Sequence, residues 1–92
     1  MKGSSVHKAE NGKMLKIALE YEKGKVLGIR ISGDFFMHPE ESITVLENRL
    51  KGTELDEERL GKKAASIVEE NSIQLFGFEA KDLAKAIMEA VQ

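Results

Sequence analysis

Ninety-two residues suffice for one small domain and leave no room for a second core. Hydrophobic residues make up 41% and charged residues 33%, with fourteen basic and sixteen acidic side chains interspersed to a net charge of −2. That balance suits a folded soluble domain, argues against the broad positive field of a nucleic-acid binder, and contains no apolar run long enough to cross a membrane. The chain has no cysteine, which excludes disulfides, thiolate catalysis, iron–sulfur ligation and thiolate zinc sites together. His7 and His38 lie far apart with no paired ligand spacing, so no metal site is expected. No apolar stretch follows Met1-Lys2-Gly3-Ser4-Ser5, so a secretory leader is not expected and the cytoplasm is the default location.

The first ten to twelve residues are polar and are expected to be loosely held. From Lys13 the pattern alternates. Leu15, Ile17, Leu19 and Tyr21 share one face of a strand, with Lys16, Glu20 and Glu22 on the other. A second alternating run places Leu27, Ile29 and Ile31 inside and Arg30 outside. The link Glu22-Lys23-Gly24 carries a glycine suited to positive φ. Parity decides the loop length: only a three-residue loop, pairing Leu19 with Leu27, Ile17 with Ile29 and Leu15 with Ile31, buries one continuous face. A type I turn closed by a glycine bulge is therefore expected. The same register sets Lys13 opposite Gly33 and Gly12 opposite Asp34, making Asn11-Gly12-Lys13 and Gly33-Asp34-Phe35-Phe36 neighbours.

Three helical stretches follow. Pro39 suits a first helical position, with Glu40 and Glu41 in the positive first turn, and Ile43, Leu46 and Leu50 recur at helical spacing before Gly52. Asp56 is placed to cap a second helix with the stripe Leu60, Ala64, Ile67 and Val68, ending near Asn71. Ile73 to Phe78 reads as a short strand or extended connection. A last helix, starting near Glu79, buries Leu83, Ala84, Ile87 and Val91. The expected architecture is α+β: a small antiparallel sheet based on a hairpin, with about three helices on one face, in a single domain over residues 1–92. The acidic residues Glu40, Glu41, Glu57 and Glu58 fall at helix starts, where the helix dipole accounts for them. They are not counted as catalytic.

The run Val26-Leu27-Gly28-Ile29-Arg30-Ile31-Ser32-Gly33-Asp34-Phe35-Phe36-Met37-His38-Pro39-Glu40-Glu41 is distinctive as it stands. It is preceded by Lys8-Ala9-Glu10-Asn11-Gly12-Lys13-Met14-Leu15 and followed by Leu46-Glu47-Asn48-Arg49-Leu50-Lys51-Gly52. Together these resemble the C-terminal accessory domain of lipoate–protein ligases, which shows a lysine, a Gly-Lys, a hairpin, an Ile-Ser-Gly-Asp-Phe-Phe signature and a Leu-Glu…Leu…Gly helix. The likeness spans roughly Lys8 to Gly52, with a weaker echo in Gly77-Phe78-Glu79-Ala80-Lys81-Asp82-Leu83. His7 and Asn11-Gly12 stand where family members often carry an aromatic residue and a double glycine. Nothing in the chain resembles the family's glycine-rich adenylate loop or its catalytic lysine.

The resemblance implies the non-catalytic subunit of a two-chain ligase, partnered by a large catalytic subunit and, through it, by lipoyl-acceptor proteins. In that family ATP and Mg²⁺ activate lipoate to lipoyl-adenylate before transfer to an acceptor lysine. None of these cofactors is expected to be held by the small chain alone. An accessory domain moving as a lid excludes water from the mixed anhydride. The expected partner interface is Gly33, Asp34, Phe35, Phe36 and Met37, with Lys8, Gly12 and Lys13 close to the ligand.

Each of these residues also has a plainer reading. Both rings can pack under the first helix, although adjacent strand residues face opposite ways and one ring is then free to dock with Met37. Asp34 suits a turn residue accepting backbone N–H groups, or a pairing with a basic residue of a partner. Lys8 and Lys13 suit solvated lysines, or cations near an adenylate phosphate. Two other functions fit the layout. One is a cysteine-free relative of iron–sulfur scaffolds acting as a regulatory module. The other is a self-associating small-molecule binding module.

Overall fold

A computed structural model describes residues 1–10 and 12–91; the Asn11 part of the expected loop lies outside them. Strands β1 (Lys2–Lys8), β2 (Met14–Glu22) and β3 (Lys25–Gly33) form an antiparallel sheet in that order. Strands β4 (Phe36–His38) and β5 (Gln74–Phe76) form a second, two-stranded sheet. Helices α1 (Ser42–Arg49), α2 (Glu57–Glu70) and α3 (Ala80–Ala90) complete the chain. The α+β architecture is as expected from the sequence.

The core lies between the inner face of the larger sheet and the helices. Leu15, Ile17, Leu19 and Tyr21 of β2 are buried with Val26, Ile29 and Ile31 of β3. Helix α3 packs on β1 and β2, α1 packs on β3, and α2 lies chiefly against α3. Leu46, Leu50, Leu60, Ile67, Leu83 and Ile87 supply the helical side. Asp56 caps α2 as expected, accepting the Arg59 N–H at 2.9 Å. Among the described residues no helix is long and apolar enough to cross a membrane.

Three expectations are corrected. The polar N-terminus is a full strand: Lys2 to Lys8 pair with Glu20 to Met14. Contacts distant in sequence hold it there. The Met1 ammonium donates to the Tyr21 carbonyl at 2.8 Å, and Ser5 Oγ donates to the Ala86 carbonyl at 2.6 Å.

The hairpin closes with a two-residue turn, since Glu22 pairs with Lys25 and both Lys23 and Gly24 have positive φ, 50° and 75°. That is the type I′ geometry that matches strand twist. Parity is restored by a bulge, because Tyr21 faces Val26 while Glu20 faces Gly28. Leu27 is the extra residue and is 51% exposed, so Val26 takes its expected place in the core.

Helix α1 begins at Ser42 with Glu41 as its N-cap, not at Pro39. The β4 ladder runs to His38, and Ser42 N–H bonds the Pro39 carbonyl at 3.0 Å, so a turn precedes the helix. Glu40 and Glu41 therefore lie outside the first turn.

The Leu46-Glu47…Leu50…Gly52 segment covers part of the outer edge of β3. Leu46 and Leu50 are buried, and Glu47 Oε2 accepts the Ile31 N–H at 2.8 Å. Val26 N–H donates to the Thr53 carbonyl at 3.0 Å, and Gly52 N–H donates to the Val26 carbonyl at 2.7 Å. Lys25 forms a bridge with Glu54.

Candidate functional site

The signature lies where β3 leaves the large sheet. Gly33 has φ of +149°, and a Cβ there would run into the Met14 carbonyl, so no side chain fits. Asp34 then clamps β3 to β2: its N–H donates to the Met14 carbonyl at 3.3 Å and its Oδ1 accepts the Met14 N–H at 2.6 Å. Asp34 thus accepts a backbone N–H, as its plainer reading expects, but across the hairpin and not within a turn. The expected meeting of the two segments holds, displaced by the bulge: Leu15, not Lys13, faces Gly33.

From Asp34 the chain alternates. Phe35 turns inward and meets Phe78 edge-on, with ring centroids 4.8 Å apart and planes at 63°. Phe36 turns outward and is 55% exposed. Met37 turns inward again and is buried. It therefore presents nothing to an incoming surface, which corrects its expected place in an exposed patch. Phe76 occupies that place. It is 49% exposed, faces Phe36 across the β4–β5 ladder, and lies 5.9 Å from it between ring centroids. Sequence inspection did not single out Phe76, because it sits inside the short Ile73–Phe78 segment; pairing of that segment with Phe36-Met37-His38 was the missing signal.

The three ligand-proximal candidates gather at the same end of the sheet. Lys8 pairs with Met14, and Met14 bonds Asp34. Gly12 has φ of +91° and donates its N–H to the Ala9 carbonyl at 2.9 Å in the turn between β1 and β2. The Lys13 stem lies across Gly77, where a Cβ would stand 2.7 Å from Lys13 Cγ and 3.5 Å from Phe35 Cβ. Gly77 thus seats Lys13 beside the aromatic element. On the outer face of the sheet, where β3 ends, a separate depression of about 400 Å³ is lined by Met14, Lys16, Ser32, Gly33 and Asp34.

The weaker echo has a structural role as well. Phe78 buttresses Phe35, and Asp82 accepts the Glu79 N–H at 2.8 Å, closing the start of α3. His7 ties β1 to α3, with Nδ1 3.1 Å from Glu89 and Nε2 3.8 Å from Asp82. His38 stands apart on β4. Among the described residues no three His, Asp or Glu side chains gather as metal ligands.

The fold and this site define a small module that holds a rigid aromatic pair outward at one end of a sheet. The chain matches the family model described as bacterial lipoate protein ligase C-terminus over residues 5–87, and it belongs to that family. It is 41% identical over 49 residues to lipoate-protein ligase A subunit 2 of Thermoplasma acidophilum; the aligned stretch covers 53% of this chain and 51% of that relative. It also superposes on a chain from the structural analysis of an archaeal lipoylation system, a bi-partite lipoate protein ligase and its E2 lipoyl domain from Thermoplasma acidophilum. There the TM-score is 0.82 and the identity 30%, covering 95% of this chain and 94% of the other.

Proposed function

We propose that this chain is the non-catalytic subunit of a two-chain lipoate–protein ligase, supporting ATP-dependent activation of lipoate to lipoyl-adenylate by a large subunit. Transfer of the lipoyl group to a lysine of an acceptor protein follows. The observation that carries this reading is the exposed Phe36–Phe76 pair, backed by the packed Phe35–Phe78 pair, in a member of this family. Two half-exposed rings on a stiff ladder offer apolar area at little ordering cost, which is what an interface anchor needs.

In this reading metal and nucleotide belong to the catalytic chain. This chain's contribution is positional. The aromatic pair docks, and the adjoining rim, with Lys8, Gly12 and Lys13, faces the active site and helps to keep water from the mixed anhydride. Lys13, whose stem is seated on Gly77 beside Phe35, is the cation we assign to that rim.

Lipoate- and ATP-dependent pyrophosphate release is expected to require both chains. Equal activation by the large subunit alone would refute the role in activation. Light scattering is expected to give a monomer of this chain that becomes a heterodimer with the catalytic chain.

A further inference from the structure

The two edges of the large sheet are treated differently. On β3 the edge is partly covered: Glu47 takes the Ile31 N–H, Thr53 and Gly52 take the Val26 N–H and C=O, and Lys25 bridges Glu54. On β1 no such cover is made among the described residues. Met1 and Tyr21 exchange both backbone bonds, at 2.8 and 2.9 Å, and Ala9 N–H donates to the Lys13 carbonyl at 2.8 Å. In an antiparallel ladder such pairs alternate. Gly3, Ser5 and His7 therefore also turn their backbone groups toward β2, and Lys2, Ser4, Val6 and Lys8 turn theirs outward. Those four residues are all exposed, and among the described residues nothing bonds their outward N–H and C=O groups.

We propose that β1 is an acceptor edge, onto which an extended segment of the catalytic subunit adds as a fourth strand, with backbone bonds to Lys2, Ser4, Val6 and Lys8. The choice of catalytic subunit rests on the function proposed above; the open edge does not. Charge selects against a second copy of this chain. In the full-length antiparallel register, β1 against itself sets Lys2 opposite Lys8 at both ends, and like charges directly opposite are unfavourable. Lysines on an edge are ordinarily a guard against self-pairing. Here the guard also specifies the guest: at one end of the outer face Lys2 already has Glu20 at 4.0 Å, while at the other Lys8 lies with Lys16 of β2 close by, so an entering strand with a carboxylate opposite Lys8 is favoured. Val6, exposed at mid-strand, supplies an apolar contact.

Proline tests the edge cleanly, because an edge strand tolerates it where the N–H faces away from the sheet. Ser4→Pro and Val6→Pro delete an outward N–H and leave the bonds to β2 in place. Both variants are expected to keep the circular dichroism of the parent chain and to bind the catalytic subunit about tenfold more weakly, or worse, by calorimetry. Ser4→Ala is expected to bind as the parent does. Parent-like binding by Ser4→Pro would overturn the proposal.

Hydrogen exchange on the unmodified chain needs no variant to fold. The Ser4, Val6 and Lys8 amides are expected to exchange quickly in the free chain and at least about tenfold more slowly in the complex. Unchanged exchange at all three overturns the proposal, as does a dimer of this chain alone that Ser4→Pro abolishes. If the parent chain fails to bind the catalytic subunit at all, the partnership itself is wrong.

Discussion

Removing both exposed rings, Phe36→Ala with Phe76→Ala, separates docking from folding. The rings are 55% and 49% exposed. A phenylalanine side chain offers on the order of 200 Å², so each ring has roughly 100 Å² left to bury, about 2.5 kcal/mol at ~25 cal/mol per Å². If half of that survives the ordering and desolvation that accompany association, the pair contributes ~2.5 kcal/mol, or roughly 50- to 100-fold in dissociation constant. Within the chain the substitutions remove the tilted ring contact, worth about 1 kcal/mol, and the buried half of each ring, roughly 2 kcal/mol apiece by the same area arithmetic. The melting point therefore falls clearly, and the fold is checked by circular dichroism at the temperature of the binding measurement. Calorimetry with the catalytic subunit measures the first quantity and a thermal melt the second. Pyrophosphate release should fall at low subunit concentration and recover when the variant is added in excess, since docking alone has changed. A dissociation constant within twofold of the parent refutes the assignment of this pair as the anchor. So does activity that stays low at saturation.

Leu27→Lys should be nearly neutral, within about 0.5 kcal/mol in denaturant unfolding, because the bulge holds Leu27 outward; a loss of several kcal/mol would mean that Leu27 is in the core and the bulge is wrong. Glu47→Ala should cost about 1–3 kcal/mol by stranding the partly buried Ile31 N–H. Glu47→Gln, which keeps an acceptor, should cost less, and equal losses would count against the edge-capping role. Arg49, whose guanidinium bonds Glu70 at 2.8 Å, holds the Glu70 carboxyl below its ordinary value of 4.5. A depressed carboxylate adds stability above its unfolded pKa and loses it as pH falls through the folded one. The contribution is therefore present above about pH 4.5 and fades below it, and Arg49→Ala should move the Glu70 titration, followed by NMR, upward toward the ordinary range, with Ser66 and Lys63 still holding it down in part. This pair is solvent-exposed, so the melting point should barely move.

The sequence made legible what depends on periodicity and hid what depends on distant partners. Alternation from Leu15 to Tyr21 gave β2 directly, and the 3.6-residue stripes gave α2 and α3. The register of β3 was misplaced because Val26-Leu27-Gly28-Ile29 offers apolar residues in both parities, and a one-residue bulge changes which of them faces inward. Strand β1 was unreadable locally: Lys-Gly-Ser-Ser-Val-His-Lys has little strand propensity, and it is a strand because Tyr21, Ala86 and Glu89 hold it. The same blindness hid half of the candidate site. The outward turn of one phenylalanine follows from the period of two, but Phe76 joins it only through pairing between strands some forty residues apart.

What makes this chain recognisable and what gives it a working surface are largely different residues. Gly33 is demanded by the Met14 carbonyl, Asp34 by the Met14 N–H, Phe35 by Phe78, and Glu47 by the Ile31 N–H. Each answers a requirement inside the fold, and their joint effect is to fix the direction in which β4 leaves the sheet. Of the two rings of the Gly-Asp-Phe-Phe element only Phe36 is largely exposed, and its companion Phe76 lies outside the element. A variant at Gly33 or Asp34 that abolished ligase activity would therefore say little about chemistry at those positions, because the direction of the aromatic pair would change with it. Phe36 and Phe76 are the positions where lost activity and a retained fold can be measured apart.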